Sequence, residues 1–409
     1  MHILILHQAF ATLSEPGGTR HHEMARYFVR QGHRVTVLTG QVSYLTGEGT
    51  DGGKWLSKQT DPFGIEIFRS YTYQGWHRSF LHRVFSFLSF MLSSFMVGLQ
   101  IRDIDLIWGT TPPIFQGITA WILARLKRAV FLLEVRDLWP RFAIAVGVLR
   151  NPVLIRLSEG LERFLYRRAD HVVINSPGFE EHVKGKGATD IHLVANGVDG
   201  SMFQPSRDGL PIREEWGFKD EFIVLYAGAH GLSNDLETVL MAADSLREKE
   251  QFQFIFVGDG KEKDQLISHA QALKLENVHF LPAVPKERMP EILAAADACV
   301  AILKPIEAYK TTYPNKVFDY MAAGRPVILA IDGVIRDVIE EAQAGIFCQP
   351  GNPEGMVEVI VQLEKNRALG KQMGLAGRQY VEKHFDRTII AEKMLDLMIH
   401  FLEGRGSSP

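Results

Sequence analysis

The sequence predicts an α/β protein made of two doubly wound, Rossmann-like domains. Three observations carry that expectation. Short apolar runs alternate with longer helical stretches, the second half of the chain repeats the plan of the first, and 409 residues is a two-domain length. Hydrophobic content of 46% and a mean hydropathy of −0.02 are those of a globular protein with full-sized cores.

Met1-His-Ile-Leu-Ile-Leu6 reads as the first buried strand; it is too short for a signal h-region and no Lys or Arg precedes it. A loop from Gln8 to Gly18 and an amphipathic helix from Thr19 to about Arg30 follow. The next strand runs through Gly32–Leu38, with the glycine just past the helix end. Residues 40–64, rich in Gly, Thr, Ser and Asp, read as one long loop. Strands at Ile65–Tyr71, Asp105–Trp108, Val130–Val135, His171–Asn175 and Ile191–Ala195 then build a parallel sheet covered on both faces. This first domain is expected to span 1–199.

Residues 200–220, with two prolines and mixed charge, read as a linker, and 221–385 as the second domain. Its strands are expected at Phe222–Ala227, Phe252–Val257, Val278–Leu281, Cys299–Leu303, Val327–Ala330 and Ile346–Cys348. Helices fit at about 234–248, 261–273, 286–296, 314–323, 333–342, 353–366 and 367–383. Residues 386–409 form a final helix, from about Thr388 to Leu402, and a frayed tail. The helix has an apolar face to bury, and a return to the first domain is one way to bury it. Two such domains facing each other across a cleft place their ligand at the carboxyl ends of the strands.

The net charge of −3 argues against a nucleic-acid binder working through bulk charge. Two cysteines, Cys299 and Cys348, exclude a disulfide scaffold and a cysteine-based zinc site and fit a reducing cytoplasm. Asp103-Ile-Asp105 has the form of a metal-binding DxD but precedes a strand, so it reads as a solvated turn, and no metal site is expected.

Ser79 to Ile101 is the unusual segment. Val84 to Leu99 carries no charge, and as a helix it spans about 24 Å, short of the roughly 30 Å hydrocarbon core. Ser79, Ser86, Ser93 and Gln100 recur every seven residues, with Ser89 beside them, and Arg78, His82, Arg83 and Arg102 flank the run. A buried or subunit-packed helix, a helix lying in a membrane interface and a true span all remain open.

Candidate site residues fall in loops after strands. Tyr313 to Val327 combines a proline suited to a helix start, free helix N–H groups, and Lys316 and Asp319 three residues apart on one face. Such a helix start can grip a phosphate and a sugar hydroxyl together, although an ordinary surface Lys–Asp pair is the alternative. Gly17-Gly18 before a helix can admit a phosphate close to the backbone. Val257-Gly-Asp-Gly260, with Gly258, ends a strand and opens a helix. Glu134-Val-Arg-Asp-Leu-Trp-Pro140 packs Glu134, Arg136 and Asp137 behind an apolar strand, where charges require partners or a cleft. Ala229-His-Gly231 is similarly placed.

Taken together these motifs resemble the retaining glycosyltransferases of family 4, which have the GT-B fold. Gly17-Gly18 followed by Gly32–Leu38 is similar to that family's glycine loop, first helix and second strand. Val194-Ala-Asn-Gly-Val-Asp199, with Phe203 and Pro205, is similar to its "PNGVD…F.P" stretch. Phe256–Gly260, Asn277–Leu281 and Ala296-Asp297 follow in the family's order, and Phe318–Val327 stands where it has "EAMAxGxPV". Within the family, Glu134–Pro140 looks most like the bacterial O-antigen, capsule and colanic-acid enzymes of fucosamine type.

The resemblance implies a nucleotide-diphosphate sugar donor, most often UDP-linked, held mainly by the second domain. Asp319 matches the second glutamate of the family's E-x7-E motif, the ribose ligand. Lys316 and the amides around Asn315 are implied at the diphosphate, with Gly17 and Gly18 approaching from the other side. Arg136 stands where relatives have the histidine of an "HD" pair. Two departures are plain. The first glutamate of E-x7-E falls at Thr311, and the family's arginine and lysine are absent from Ala229–Asn234, leaving His230, Lys310 and Lys316 to supply positive charge. The implied reaction is sugar transfer with retention to a glycan or polyprenyl-diphosphate-linked acceptor in bacterial surface-polysaccharide synthesis. It needs no metal or cofactor, and it places the protein in the cytoplasm at the inner face of the plasma membrane, with 79–101 as a peripheral membrane contact. A UDP-N-acetylglucosamine 2-epimerase-like isomerase on the same fold and a non-catalytic nucleotide-sugar-binding subunit are the alternatives.

Overall fold

The computed structural model describes residues 1–41, 54–74 and 80–406. Ser79, Arg78 and part of the 40–64 loop lie outside them, as do the last three residues of the tail. The chain forms two compact units. The first comprises 1–12, 17–195 and 388–409, and the second 13–16 and 196–387.

Strands of the first unit are His2–Leu6 (β1), Arg34–Gly40 (β2), Leu56–Thr60 (β3), Glu66–Ser70 (β4), Leu106–Thr111 (β5), Val130–Val135 (β6), His171–Ile174 (β7) and Ile191–Leu193 (β8). Its helices are Arg20–Arg30 (α1), Phe80–Gln100 (α2), Phe115–Lys127 (α3), Arg141–Ala145 (α4), Pro152–Arg168 (α5) and Glu180–Gly185 (α6). The strand order is β3-β4-β2-β1-β5-β6-β7-β8. All neighbours pair in parallel except β3, which runs antiparallel to β4 from Leu56↔Ser70 to Thr60↔Glu66. The loop expected over 40–64 therefore contains a strand. Its sequence, Leu-Ser-Lys-Gln-Thr, is polar because an edge strand leaves its residues half or fully exposed, so no apolar run announces it.

The central strands are the reverse case. β1, β5 and β6 are buried at every position, as a sheet covered on both faces requires. The reversal in the direction the connections take across the sheet, between β1 and β5, is the switch point at which a doubly wound sheet opens a crevice at its carboxyl edge.

The second unit carries Phe222–Ala227 (β9), Phe252–Val257 (β10), Val278–Leu281 (β11), Ala298–Ile302 (β12), Val327–Ala330 (β13) and Gly345–Phe347 (β14). They form a fully parallel sheet in the order β11-β10-β9-β12-β13-β14. Its helices are Leu210–Glu215 (α7), Leu236–Ser245 (α8), Lys263–Ala272 (α9), Met289–Ala295 (α10), Asn315–Ala322 (α11), Val334–Ala342 (α12), Pro353–Lys365 (α13) and Arg367–His384 (α14). α7 lies in the stretch read as a linker and is tied down: the Arg213 guanidinium bonds Asp297 at 2.6 Å and the Ala295 carbonyl at 2.9 Å. The last helix, Arg387–Gly406 (α15), clusters from Thr388 onward with the first unit, where Phe401 stacks on His171 at 3.6 Å between ring centroids.

Both units are Rossmann-like lobes of the kind found in the GT-B fold, with helices filling the crossovers between parallel strands.

Candidate functional site

In the second unit, two glycine loops interlock at the carboxyl ends of adjacent strands. Gly258, after β10, has φ +149°, and a Cβ there would lie 1.9 Å from the Gly228 carbonyl oxygen that follows β9. At Gly260 a Cβ would lie 2.5 Å from the His230 carbonyl oxygen. Hydrogen bonds join the loops: the His230 amide donates to Asp259 O at 2.8 Å and the Glu262 amide to His230 O at 2.9 Å. Lys263 fastens the base, its ammonium donating to the carbonyls of Gly258 at 2.8 Å and Leu281 at 3.0 Å.

α11 points its first turn at the same edge of the sheet. Pro314 precedes it without a side-chain cap, so the opening amides at Asn315 and Lys316 are those a helix leaves without intrahelical acceptors. The hydroxyl of the fully buried Tyr320 pins the helix to β9. It accepts from the Ala227 amide at 2.9 Å and donates to the Ala227 carbonyl at 3.1 Å. Lys316 folds over the glycine loop: its Nζ is 2.6 Å from the Tyr226 hydroxyl, 3.3 Å from Asn234 Oδ1 and 4.0 Å from the Tyr226 ring centroid. A Cβ on Gly228 would come within 3.0 Å of that ammonium. Burial lowers the Lys316 pKa to about 7. One turn on, the Asp319 carboxylate forms an ion pair with Lys286. The structure thus brings Lys316, Asn315, Asp319, Gly258 and His230 to one edge of one sheet.

His230 is fully buried, and its two ring nitrogens have no hydrogen-bond partner among the described residues. Burial, together with the charges of Lys263 and Lys316, lowers its pKa to about 4. It is therefore neutral at pH 7, which corrects the expectation that it supplies positive charge. Lys310 is exposed and engaged with Glu307 at 2.8 Å and Asp332 at 3.7 Å. Thr311 donates through Oγ1 to the Ala308 carbonyl at 2.7 Å. Lys263 and Lys316 both bring their ammonium groups to the interlocked loops.

In the first unit, Glu134 lies on β6 with no exposure. Arg20 Nε reaches one carboxylate oxygen at 2.9 Å and His21 Nε2 the other at 2.5 Å. Burial alone would raise its pKa, but the charges of His21 and Arg20 outweigh that and hold the carboxyl well below its ordinary range. The rest of the Arg20 guanidinium donates to the carbonyls of Val194 and Ala195 at 2.7 and 2.6 Å. Glu134 is thus a buried anchor of α1 and the chain after β8, not an exposed ligand.

Arg136 is half-buried, with Nη1 2.7 Å from Nε2 of the buried His7, which accepts as a neutral imidazole. Burial, then the charges of Arg136 and His21, drive the His7 pKa well below its ordinary value. Burial also raises the Asp137 pKa to about 6, against the opposing pull of Arg136. Gly17 has φ +150°, and a Cβ there would meet Ala11 Cβ at 2.9 Å, whereas Gly18 opens onto free space. Sequence reasoning missed Arg20, His21 and His7: the first two stand in the polar run Arg20-His-His-Glu23, which reads as an exposed helix start, and His7 carries no spacing signal. It also missed Tyr226, Lys263 and Lys286.

Among the described residues, His171, Asp190 and His192 have ligand atoms all within 4.8 Å of one another, a set that could hold a metal ion. They lie at the amino ends of β7 and β8, the opposite edge of that sheet from Arg136. Asp105 of the DxD-like stretch accepts from the His2 amide at 2.7 Å.

Two family models match, one to each half of the chain: the glycosyl transferase 4-like domain over residues 17–197 and the glycosyl transferases group 1 over 210–380. A colanic acid biosynthesis glycosyl transferase of Escherichia coli K12, WcaI, is 25% identical over 91% of this chain and 94% of its own length. Sucrose-phosphate synthase from Thermosynechococcus elongatus superposes with a TM-score of 0.80 at 18% identity, covering 99% of this chain and all of that one. HepE of Anabaena, in complex with UDP-glucose, superposes at 0.71 and 16% identity over 98% and 100%. The chain has the GT-B fold and is related to the glycosyltransferases of the group 1 and 4-like superfamily, among them transferases of bacterial surface polysaccharides.

Proposed function

We propose that the protein transfers a sugar from a nucleotide diphosphate sugar, UDP-linked, to a glycan or polyprenyl-diphosphate-linked acceptor, with retention of anomeric configuration. We place this reaction in bacterial surface-polysaccharide synthesis. The observation that carries the reading is the edge of the second sheet, where Lys316, uncapped amides of α11 and a glycine-walled loop converge with a carboxylate one turn away. A diphosphate is matched by the first three and ribose hydroxyls by Asp319. Negative charge grows on the departing phosphate as the glycosidic bond breaks, and Lys316 with the Asn315 and Lys316 amides supplies fixed donors for it. His230, neutral and unsatisfied, offers one ring N–H and one ring acceptor to the donor. On the first unit, Arg136 and Asp137 are assigned to the acceptor side, with Glu134, Arg20 and His7 holding them in place. The relation to WcaI supports a surface-polysaccharide role, and the HepE complex supports UDP as the nucleotide.

The test is incubation of the purified protein with labelled UDP-sugars and lipid-extracted or synthetic acceptors, following UDP release and reading the product's anomeric configuration by NMR. Retained configuration in an acceptor-dependent product supports the proposal. A new sugar nucleotide formed without acceptor would mark an isomerase instead, and no turnover of any donor would leave a binding subunit.

A further inference from the structure

At the amino ends of β7 and β8 two imidazoles and a carboxylate converge on one side of the first unit's sheet. The strands pair in parallel, Val172 level with Ile191 and Val173 with His192, so His171 stands level with Asp190. Asp190 and His192 are two residues apart, and side chains two apart on a strand point to one face. Strand pairing therefore delivers all three to the same face, with their ligand atoms within 4.8 Å of one another. Solvent reaches them: the side chains of His171, Asp190 and His192 are 22%, 45% and 26% exposed.

His171 Nδ1 is 2.5 Å from Asp190 Oδ2. His192 Nε2 lies 2.9 Å from Asp190 Oδ1 but outside hydrogen-bond geometry, so this buried ring nitrogen has no hydrogen-bond partner among the described residues. A tetrahedral zinc ion with bonds of about 2.0–2.1 Å spaces its ligand atoms by about 3.3 Å, so its entry opens these contacts by less than about 1 Å. Phe401 of α15 packs flat on the His171 ring, 3.6 Å between centroids and 7° between planes, and stands 5.1 Å from the His192 ring. It fixes the first imidazole and gives the site an apolar wall. Asp170 lines the same cavity, but its carboxylate already accepts from the Phe131 amide and from Arg125, each at 2.8 Å. The site thus offers three donors, with water available as a fourth. A plain histidine–aspartate ion pair is the alternative; it accounts for one imidazole on the carboxylate and not for the second, badly angled one.

We propose that His171, Asp190 and His192 bind a divalent transition ion, zinc foremost, and that the ion fastens α15 to this corner of the sheet. Two imidazole nitrogens and one carboxylate oxygen suit zinc and its first-row neighbours, whereas Mg2+ and Ca2+ take oxygen ligands. The role is structural. The set lies at the opposite edge of the sheet from Arg136, and an ion that holds the His171 ring also holds the face on which Phe401 stacks. The inference goes beyond the proposed reaction and stands without any nucleotide.

The experiment is calorimetric titration of Zn2+ into the untagged full chain, stripped beforehand with chelator, in a background of millimolar Mg2+. The wild type is expected to take up one equivalent at this site, and its melting temperature to rise with zinc. His192→Gln and Asp190→Asn, each at a partly exposed position, should weaken that binding by more than about 100-fold, beyond the 10- to 100-fold cost of losing an outer-shell partner. Zinc should then no longer raise the melting temperature, while UDP titrations match the wild type. The chain has 15 histidines, so binding elsewhere is the competing outcome. Zinc affinity unchanged in both variants would assign the ion to other residues and overturn the proposal, as would no uptake by the wild type. Anomalous diffraction from wild-type crystals grown with zinc needs no variant: an ion among His171, Asp190 and His192 supports the proposal, and its absence there overturns it.

Discussion

The Lys316 ammonium sits 2.6 Å from the Tyr226 hydroxyl and 4.0 Å above the same ring's centroid, with no carboxylate hydrogen-bonded to it among the described residues. Its charge is solvated by a phenol, an amide oxygen and a π face, so burial brings its pKa down to about 7. An arriving diphosphate supplies the missing anion and raises that pKa. Binding is therefore coupled to proton uptake above pH 7, and nucleotide affinity should fall as pH rises from about 7 to about 9, by up to about tenfold per unit. Titrations of UDP across that range check the slope. Lys316→Met should bind more weakly and lose the pH dependence; a wild-type affinity independent of pH would separate Lys316 from the diphosphate.

Asp137 gives a prediction of opposite sense. Its folded pKa, raised by burial to about 6, exceeds the ordinary carboxylate value, so the folded state holds its proton over about pH 4 to 6 while the unfolded chain has released it. The stability it contributes is complete below the unfolded pKa and is lost as pH rises through about 6. Asp137→Asn should accordingly match the wild-type melting temperature near pH 4 and exceed it above pH 6. Equal melting temperatures at every pH would contradict the raised pKa.

Removing the Glu134 charge strands the buried Arg20 guanidinium and takes from His21 its carboxylate partner. With Arg20 and His21 both within 2.9 Å of the buried carboxylate, Glu134→Gln should cost about 3–5 kcal/mol and lower the melting temperature by roughly 10 °C. UDP affinity at a temperature where both are folded should be unchanged, since Glu134 is assigned a positioning role in the first unit. Thermal denaturation and calorimetry separate the two effects.

Gly258→Ala places a methyl 1.9 Å from the Gly228 carbonyl oxygen, a distance no side-chain rotation can relieve. The glycine loops must part, and UDP binding should fall at least about tenfold while far-UV circular dichroism keeps its wild-type shape. Full affinity in a folded Gly258→Ala protein would show that the interlocked loops do not shape the nucleotide site.

The sheet cores were legible in the sequence because β1, β6, β9 and β10 are mostly apolar runs, β9 without a break and the others with one polar residue each (His2, Glu134 and Gln253), as strands buried on both faces require. β3 was not, since a polar edge strand resembles a loop. Lys316 and Asp319 were legible from their spacing after a helix-starting proline. Their partners were not: Lys286 lies 33 positions from Asp319 and Tyr226 lies 90 from Lys316, separations that only the fold closes. The periodic serines of α2 showed where its polar stripe runs but not that it faces inward. That depends on the Tyr71 carbonyl and the Gln8 side chain waiting beneath it. The charge state of His230 was equally hidden, because burial and two lysines brought in by the fold set it.

The central claim is that the second unit holds a nucleotide diphosphate through α11. Calorimetric titration of UDP, without added metal, into the wild type and into Asp319→Ala tests it most directly. The account predicts one site in the wild type and an affinity about 10- to 100-fold weaker in the variant, the range for a hydrogen bond to a charged group. Equal affinities in the two proteins, or no binding to folded wild type, would contradict it.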